Sequence, residues 1–67
     1  MNLCARPFVL VVTRRGQPVE TRECDSIAEA ERRFEWLARR GLGDRGEVFA
    51  ADFRDRPVRV LRVRQDH

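Results

Sequence analysis

The chain has no lysine and no tyrosine, a single histidine at its last position, His67, and two cysteines, Cys4 and Cys24. Each scarcity removes a chemistry. Nothing internal is present to act as an imidazole base for either thiol, and no lysine amine is available. The inventory for general acid–base or nucleophilic catalysis is therefore nearly empty, with the carboxylates read as surface charges, and no enzyme activity is expected. The two cysteines form neither a C-x-x-C pair nor a mixed Cys/His ligand set, so neither a metal nor a cofactor is expected. They read as small packed hydrophobes, against the alternatives of a bridge or a reactive thiol. No apolar run approaches the roughly 18 residues of a membrane span, and residues 1–7 lack a basic stretch leading into an apolar one. The expectation is a cytoplasmic protein with reduced thiols and no membrane partner.

Glycine and proline are also few, 4 and 3, and no repeat, low-complexity tract or linker divides the 67 residues. One domain over residues 1–67 is expected, with residues 1–6 and 65–67 loosely ordered. A chain of this size buries only about 60% of the surface it exposes when unfolded, so its 42% hydrophobic residues must go mainly into one thin core. Charge, in contrast, is abundant: 37% of residues carry one, 14 basic against 11 acidic, for a net of +3. Every basic residue is arginine, whose high pKa lifts the isoelectric point without making the surface strongly basic.

Residues 8–13, Phe-Val-Leu-Val-Val-Thr, are β-branched and nearly continuously apolar, the pattern of a central strand. Arg14-Arg15-Gly16-Gln17 reads as a tight turn into a second strand over residues 18–24. Pairing Arg14 with Gln17 places Phe8, Leu10, Val12, Val19 and Thr21 on a core face, and Val9, Val11, Glu20 and Arg22 on the other. Ser26-Ile27-Ala28-Glu29 is a capping box, with Asp25 adding negative charge at the helix start. The helix should run over residues 27–40 and stop at Gly41, with Ile27, Ala30, Phe34, Leu37 and Ala38 in one stripe against the sheet. Residues 47–54 alternate as a third strand, and residues 58–64 form a fourth if a bulge at Val60-Leu61 reconciles its two phases and leaves Arg59, Arg62 and Arg64 outward. The order is ββαββ, an α+β fold. A four-stranded antiparallel sheet in spatial order 2-1-3-4, with the helix on one face, satisfies these constraints most simply.

Trp36 is the residue that packing does not explain. At 100° per residue it falls about 180° from Ile27, opposite the core stripe, with Arg32, Arg33, Arg39 and Arg40 as its i−4, i−3, i+3 and i+4 neighbours. An exposed indole among arginines is a candidate partner-binding patch, because tryptophan and arginine dominate binding hot spots. The structural alternative is that guanidinium groups stack on the indole and screen it. The proposed topology also gathers Arg14, Arg15, Arg39, Arg40, Arg45, Arg62 and Arg64 at one end, opposite Glu23, Asp25 and Glu29. Such a basic end suits phosphates or an acidic protein surface; alternatively, Arg39 and Arg40 complement the helix terminus and the edge arginines discourage aggregation. Glu29, Glu31 and Glu35 are explained by ion pairs along the helix. The glycine-rich stretch of residues 41–46 follows a helix instead of preceding one, so it reads as a connection and not as a phosphate loop.

The strand pair turning near Gly16, the Ser-x-x-Glu-Ala helix start at Ser26 to Ala30, and Gly46-Glu47-Val48 opening a terminal hairpin together resemble the layout of small phage-encoded inhibitors, anti-CRISPR proteins among them. The resemblance is architectural. It implies a non-catalytic protein that blocks a protein or nucleoprotein target by covering its surface. A weaker likeness is to the arm-type DNA-binding domains of phage integrases, whose helix follows three strands where here it follows two. Two functions follow as expectations: a binding or inhibitor module acting through Trp36 and its arginines, or a nucleic-acid-binding module using the basic end. A second copy of the chain is a further candidate partner.

Overall fold

A computed structural model describes residues 6–63. Its elements are β1 (Phe8–Arg14), β2 (Gln17–Cys24), α1 (Ile27–Arg39), β3 (Arg45–Ala50) and β4 (Arg59–Arg62). The strands form one antiparallel sheet in the order β2-β1-β3-β4, with the helix packed on one face, as the sequence pattern predicts. The expectations for Cys4, Arg64 and His67 concern positions outside the described residues.

The β1–β2 turn is closed by Arg15 and Gly16, both at positive φ, +53° and +81°. This is the primed two-residue geometry whose twist matches that of the flanking strands. Asp44, in the loop before β3, clamps the tip: its carboxylate accepts from the Arg15 N–H at 3.0 Å, and its own N–H donates to the Thr13 carbonyl at 2.9 Å.

Beyond the turn the sequence-based register holds for only two pairs. Arg14 faces Gln17 and Thr13 faces Pro18, but Val12 then faces Glu20, so Val19 is an extra residue in β2. This bulge turns Glu20, Arg22 and Cys24 toward the helix side and leaves Thr21 on the other face, correcting the expected core face of β2. The shift has a physical return. Cys24, opposite Phe8, becomes fully buried, while Glu23 is left exposed. Burial pushes the Cys24 thiol above its ordinary pKa, aided by the nearby Glu29 carboxylate. It is a packed protonated thiol.

The helix begins with Ser26, whose hydroxyl accepts from the Glu29 N–H at 3.1 Å. Glu29 returns its carboxylate to the Asp25 N–H at 2.8 Å, one residue earlier than a standard capping box. Ala30, Phe34 and Leu37 are buried against Leu10, Val12, Cys24 and Val48, with Phe8, Ile27, Ala38 and Leu61 at the margin. Each large side chain fully buried in such a cluster contributes roughly 1.5–3 kcal/mol. Gly46, opposite Val12 and Leu61, makes room for Phe34: a Cβ there would lie 2.8 Å from the ring.

The second half of the sheet departs from expectation. β3 ends at Ala50, and the chain turns at once, because the Phe53 N–H donates back to the Ala50 carbonyl. β4 is only four residues long and pairs in unbroken register, Arg62 with Arg45 through Arg59 with Val48, so no bulge falls at Val60-Leu61. Arg59 consequently lies on the helix side instead of outward, and its guanidinium meets Glu31 at 2.8 Å. Val60, out of phase with Leu61 in the sequence pattern, lies on the face away from the helix.

Candidate functional site

The expected ion pairs along the helix do not form among the described residues. Glu29 is met by Arg6 at 3.8 Å, Glu31 by Arg59, and Arg33 by Glu20. Each pair ties the helix to a neighbouring segment. Arg6, expected at the loose end of the chain, also reaches Asp25 at 3.5 Å and so offsets part of the acidic end.

Arg33 and Glu20 form the most complete of these pairs, with Nε and Nη2 donating to the two carboxylate oxygens at 2.8 Å each. Arg22 adds a third bond to the same carboxylate at 3.2 Å. Hydrogen bonding from Arg33 holds the Glu20 pKa below the usual carboxylate range, against the opposing effect of burial, and Glu20 in turn raises that of Arg33. The β2 bulge makes this contact. Without it Glu20 would face away from the helix.

The fork fixes Arg33 beside Trp36, its guanidinium carbon 4.6 Å from the ring centroid; that of Arg40 lies at 3.8 Å. Arg40 is steadied by donating to the Trp36 carbonyl at 3.2 Å. Trp36 is nevertheless 43% exposed. Two guanidiniums therefore stack on an indole that still faces solvent, so the stacking does not screen it fully.

The end of the helix completes the surroundings. Gly41, at φ +70°, lets the Leu42 N–H reach the Leu37 carbonyl and the Gly41 N–H the Ala38 carbonyl, a Schellman closure. It folds Leu42 back beside Leu37. Val19, displaced by the bulge, approaches from the other side. Trp36, Leu37, Leu42, Val19 and Arg14 with the Arg33–Glu20 pair line an open groove of about 320 Å³. Val19 and Leu42 are 48% and 44% exposed. Sequence reasoning missed both: Leu42 required recognising the Schellman closure, and Val19 required the bulge.

The other two arginines flanking Trp36 do not join this groove. Arg32 and Arg39 fall on the opposite flank of the helix by the 100° rotation, and Arg39 lines a wide trough toward β4 with Glu35, Ala38, Leu61 and Arg62. Arg14, Arg15, Arg45 and Arg62 converge at one end, since Arg14 and Arg15 form the hairpin tip and Arg45 faces both Thr13 and Arg62. Arg39 and Arg40 close the helix at the same end. Arg45 is paired with Glu47 at 3.3 Å, whereas Arg14, Arg15, Arg39, Arg40 and Arg62 have no carboxylate partner among the described residues.

Among the described residues no cluster of three or more histidine, cysteine or acidic side chains has metal-binding geometry, and no helix is long and apolar enough to cross a membrane. No protein-family model, curated protein or solved structure matches the chain.

Proposed function

We propose that this chain is a non-catalytic binding module that acts on a protein or nucleoprotein target through the Trp36 face, as an inhibitor would by occluding the target's surface. The reading rests on one observation: an exposed indole shares a groove with the exposed Val19 and Leu42, with Arg14 in its lining and Arg40 stacked on the indole, neither meeting a carboxylate among the described residues. Apolar area flanked by unneutralised guanidiniums suits a partner segment that offers an aliphatic or aromatic side chain next to carboxylates. Base stacking is less favoured here, because Arg33 and Arg40 already lie over the indole ring.

The test compares wild type with Trp36→Ala. Because Trp36 is outside the core, its removal should cost less than about 1 kcal/mol of folding stability, the scale of its exposed cation–π contacts. Binding to a partner captured from the native host should weaken by roughly 30-fold, as loss of a hot-spot side chain does. Equal capture by both proteins, or a folding loss near 3 kcal/mol, defeats the reading.

A nucleic-acid-binding role is the second reading, favoured by the gathering of Arg14, Arg15, Arg39, Arg40 and Arg62 at one end without carboxylate partners among the described residues. Its signature is the salt dependence argued in the Discussion.

A further inference from the structure

The buried cluster draws on the helix, β1, β2 and β3, and β4 joins it only through Leu61 at the margin. The helix therefore stops short of one edge of the sheet. Between it and β4, the outer strand on that side, an open trough of about 820 Å³ remains, with Phe34, Ala38 and Leu61 as its apolar floor.

The two edges of the sheet differ in how they are closed. On β2, Pro18 has no N–H to offer and the bulge at Val19 breaks the ladder, two devices that stop a further strand from pairing. β4 has neither. At its ends the Val63 N–H turns inward to the Asp44 carbonyl at 3.4 Å, and the Val58 N–H to the Val48 carbonyl at 2.7 Å. Alternation back from Val63 turns Leu61 and Arg59 inward as well, so the main-chain N–H and C=O of Val60 and Arg62 point out of the sheet. Both residues border the trough.

We infer that this edge accepts a further β-strand, an acidic extended segment of a partner protein that pairs antiparallel with β4 and fills the trough. Main-chain bonds to Val60 and Arg62 hold it, and its alternate side chains enter beneath the helix. Charge selects the segment and its direction. Arg39 and Arg62 border one end of the trough with no carboxylate partner among the described residues, while at the other end Glu31 already meets Arg59 at 2.8 Å. Glu35, one helical turn before Arg39 on the same rim, disfavours acidic side chains farther along. Antiparallel pairing brings the first residues of the segment to the arginine end, so its acidic residues come first. One lies opposite Val63, on the helix side by Arg39, and the next opposite Arg62. An aliphatic residue follows opposite Leu61, over the apolar floor. A second copy laid edge to edge would instead bring two Arg62 side chains onto one short ladder, a like-charge contact that disfavours it.

The experiment titrates fluorescein-labelled Glu-Asp-Ile-Val-Thr peptide, to near-millimolar concentration, against wild type, Val60→Pro, Arg62→Glu and Trp36→Ala, reading anisotropy and amide hydrogen exchange. Val60→Pro removes an outward N–H at an edge position that tolerates proline, and circular dichroism checks that each variant folds. Wild type should bind, with exchange of the Val60 and Arg62 amides slowed about tenfold or more at saturation. The basic control Lys-Lys-Ile-Val-Thr, and the variants Val60→Pro and Arg62→Glu, should each show binding weaker by about tenfold or more. Methylating the peptide's valine nitrogen, which faces β4, should abolish binding, and methylating its isoleucine nitrogen, which faces away, should leave it nearly unchanged. A wild type that ignores the peptide overturns the inference. So does equal binding of the basic control or of the valine-methylated peptide, which would mean that neither charge nor strand pairing holds it. Protection of the Val60 and Arg62 amides by rising protein concentration without peptide would give the edge to a second copy and also overturn it. Binding that survives Trp36→Ala separates this site from the proposed function; binding lost in that variant places the contact in the indole groove and defeats the inference.

Discussion

At the scale of single residues, two positions carry conformations or charges that can be measured directly. Arg15 sits at φ +53°, where a side chain with a Cβ is disfavoured and asparagine is better tolerated. Arg15→Asn keeps the backbone N–H that donates to Asp44. It should stabilise the fold by about 0.5–1 kcal/mol, seen as a rise of a few degrees in the thermal midpoint. Glu20 is the second. Its pKa is lowered in the folded chain by the Arg33 fork, so its contribution is fully present above the unfolded glutamate pKa and is lost as pH falls through the folded value. Glu20→Gln should therefore cost on the order of 1 kcal/mol at neutral pH, allowing for partial solvent screening. The difference from wild type should vanish in acid, well below about pH 4. Urea melts across that range read it out, and a pH-independent difference would mean that packing, not charge, holds the contact. Trp36 was legible from helical rotation alone. Its coupling to Glu20 through Arg33 was not, because a one-residue bulge in β2 reverses which side chains face the helix.

The same contrast holds for whole elements. The helix was readable nearly to its last residue, since Ser26, Glu29 and Gly41 mark its ends chemically and the stripe from Ile27 to Ala38 has no competing phase. The third strand was begun two residues late, because Arg45 and Gly46 looked like connection, and carried too far, because alternation of Phe49, Ala51 and Phe53 continues through a turn that only the Phe53-to-Ala50 hydrogen bond reveals; the fourth was overextended at both ends. Val60 and Leu61 looked out of phase only on the assumption that one face must hold every apolar side chain. Both faces of this sheet are apolar near the centre. What seats the helix on the sheet is the absence of a side chain at Gly46, beneath Phe34. Gly46→Ala should destabilise by about 1–3 kcal/mol through overpacking, because the ring lies too close to yield easily. Phe34→Leu should recover part of that loss in the double variant, a coupling that a denaturant-based double-mutant cycle measures. Additive losses would show that the glycine is needed for another reason.

Over the whole molecule, the arginines divide by whether a carboxylate meets them. Arg6, Arg22, Arg33, Arg45 and Arg59 meet carboxylates and brace the fold; among the described residues the others do not, and of these Arg14, Arg15, Arg39, Arg40 and Arg62 collect toward the end formed by the hairpin tip and the helix C-terminus, while Arg32 lies along the helix and Arg54 and Arg56 in the β3–β4 connection. That division yields a prediction with opposite signs for the competing readings. If the basic end neutralises phosphates, affinity for a DNA or RNA duplex should fall linearly on a log–log salt plot, with a slope of about −0.9 per contacted phosphate on DNA. Replacing Arg14 and Arg62 together by serine should then flatten the slope by roughly two units, and Trp36→Ala should leave it nearly unchanged. If the target is instead an acidic protein segment seated on the indole groove, Trp36→Ala should dominate the loss. Arg14→Ser should weaken binding in a salt-sensitive way, and Arg62→Ser, outside that groove, should do little. Fluorescence anisotropy with labelled duplex and with an acidic aromatic peptide, each titrated at several salt concentrations, measures both. Failure to bind duplex even at low ionic strength removes the nucleic-acid reading, because a phosphate-contacting end has its greatest affinity where counterion release is most favourable.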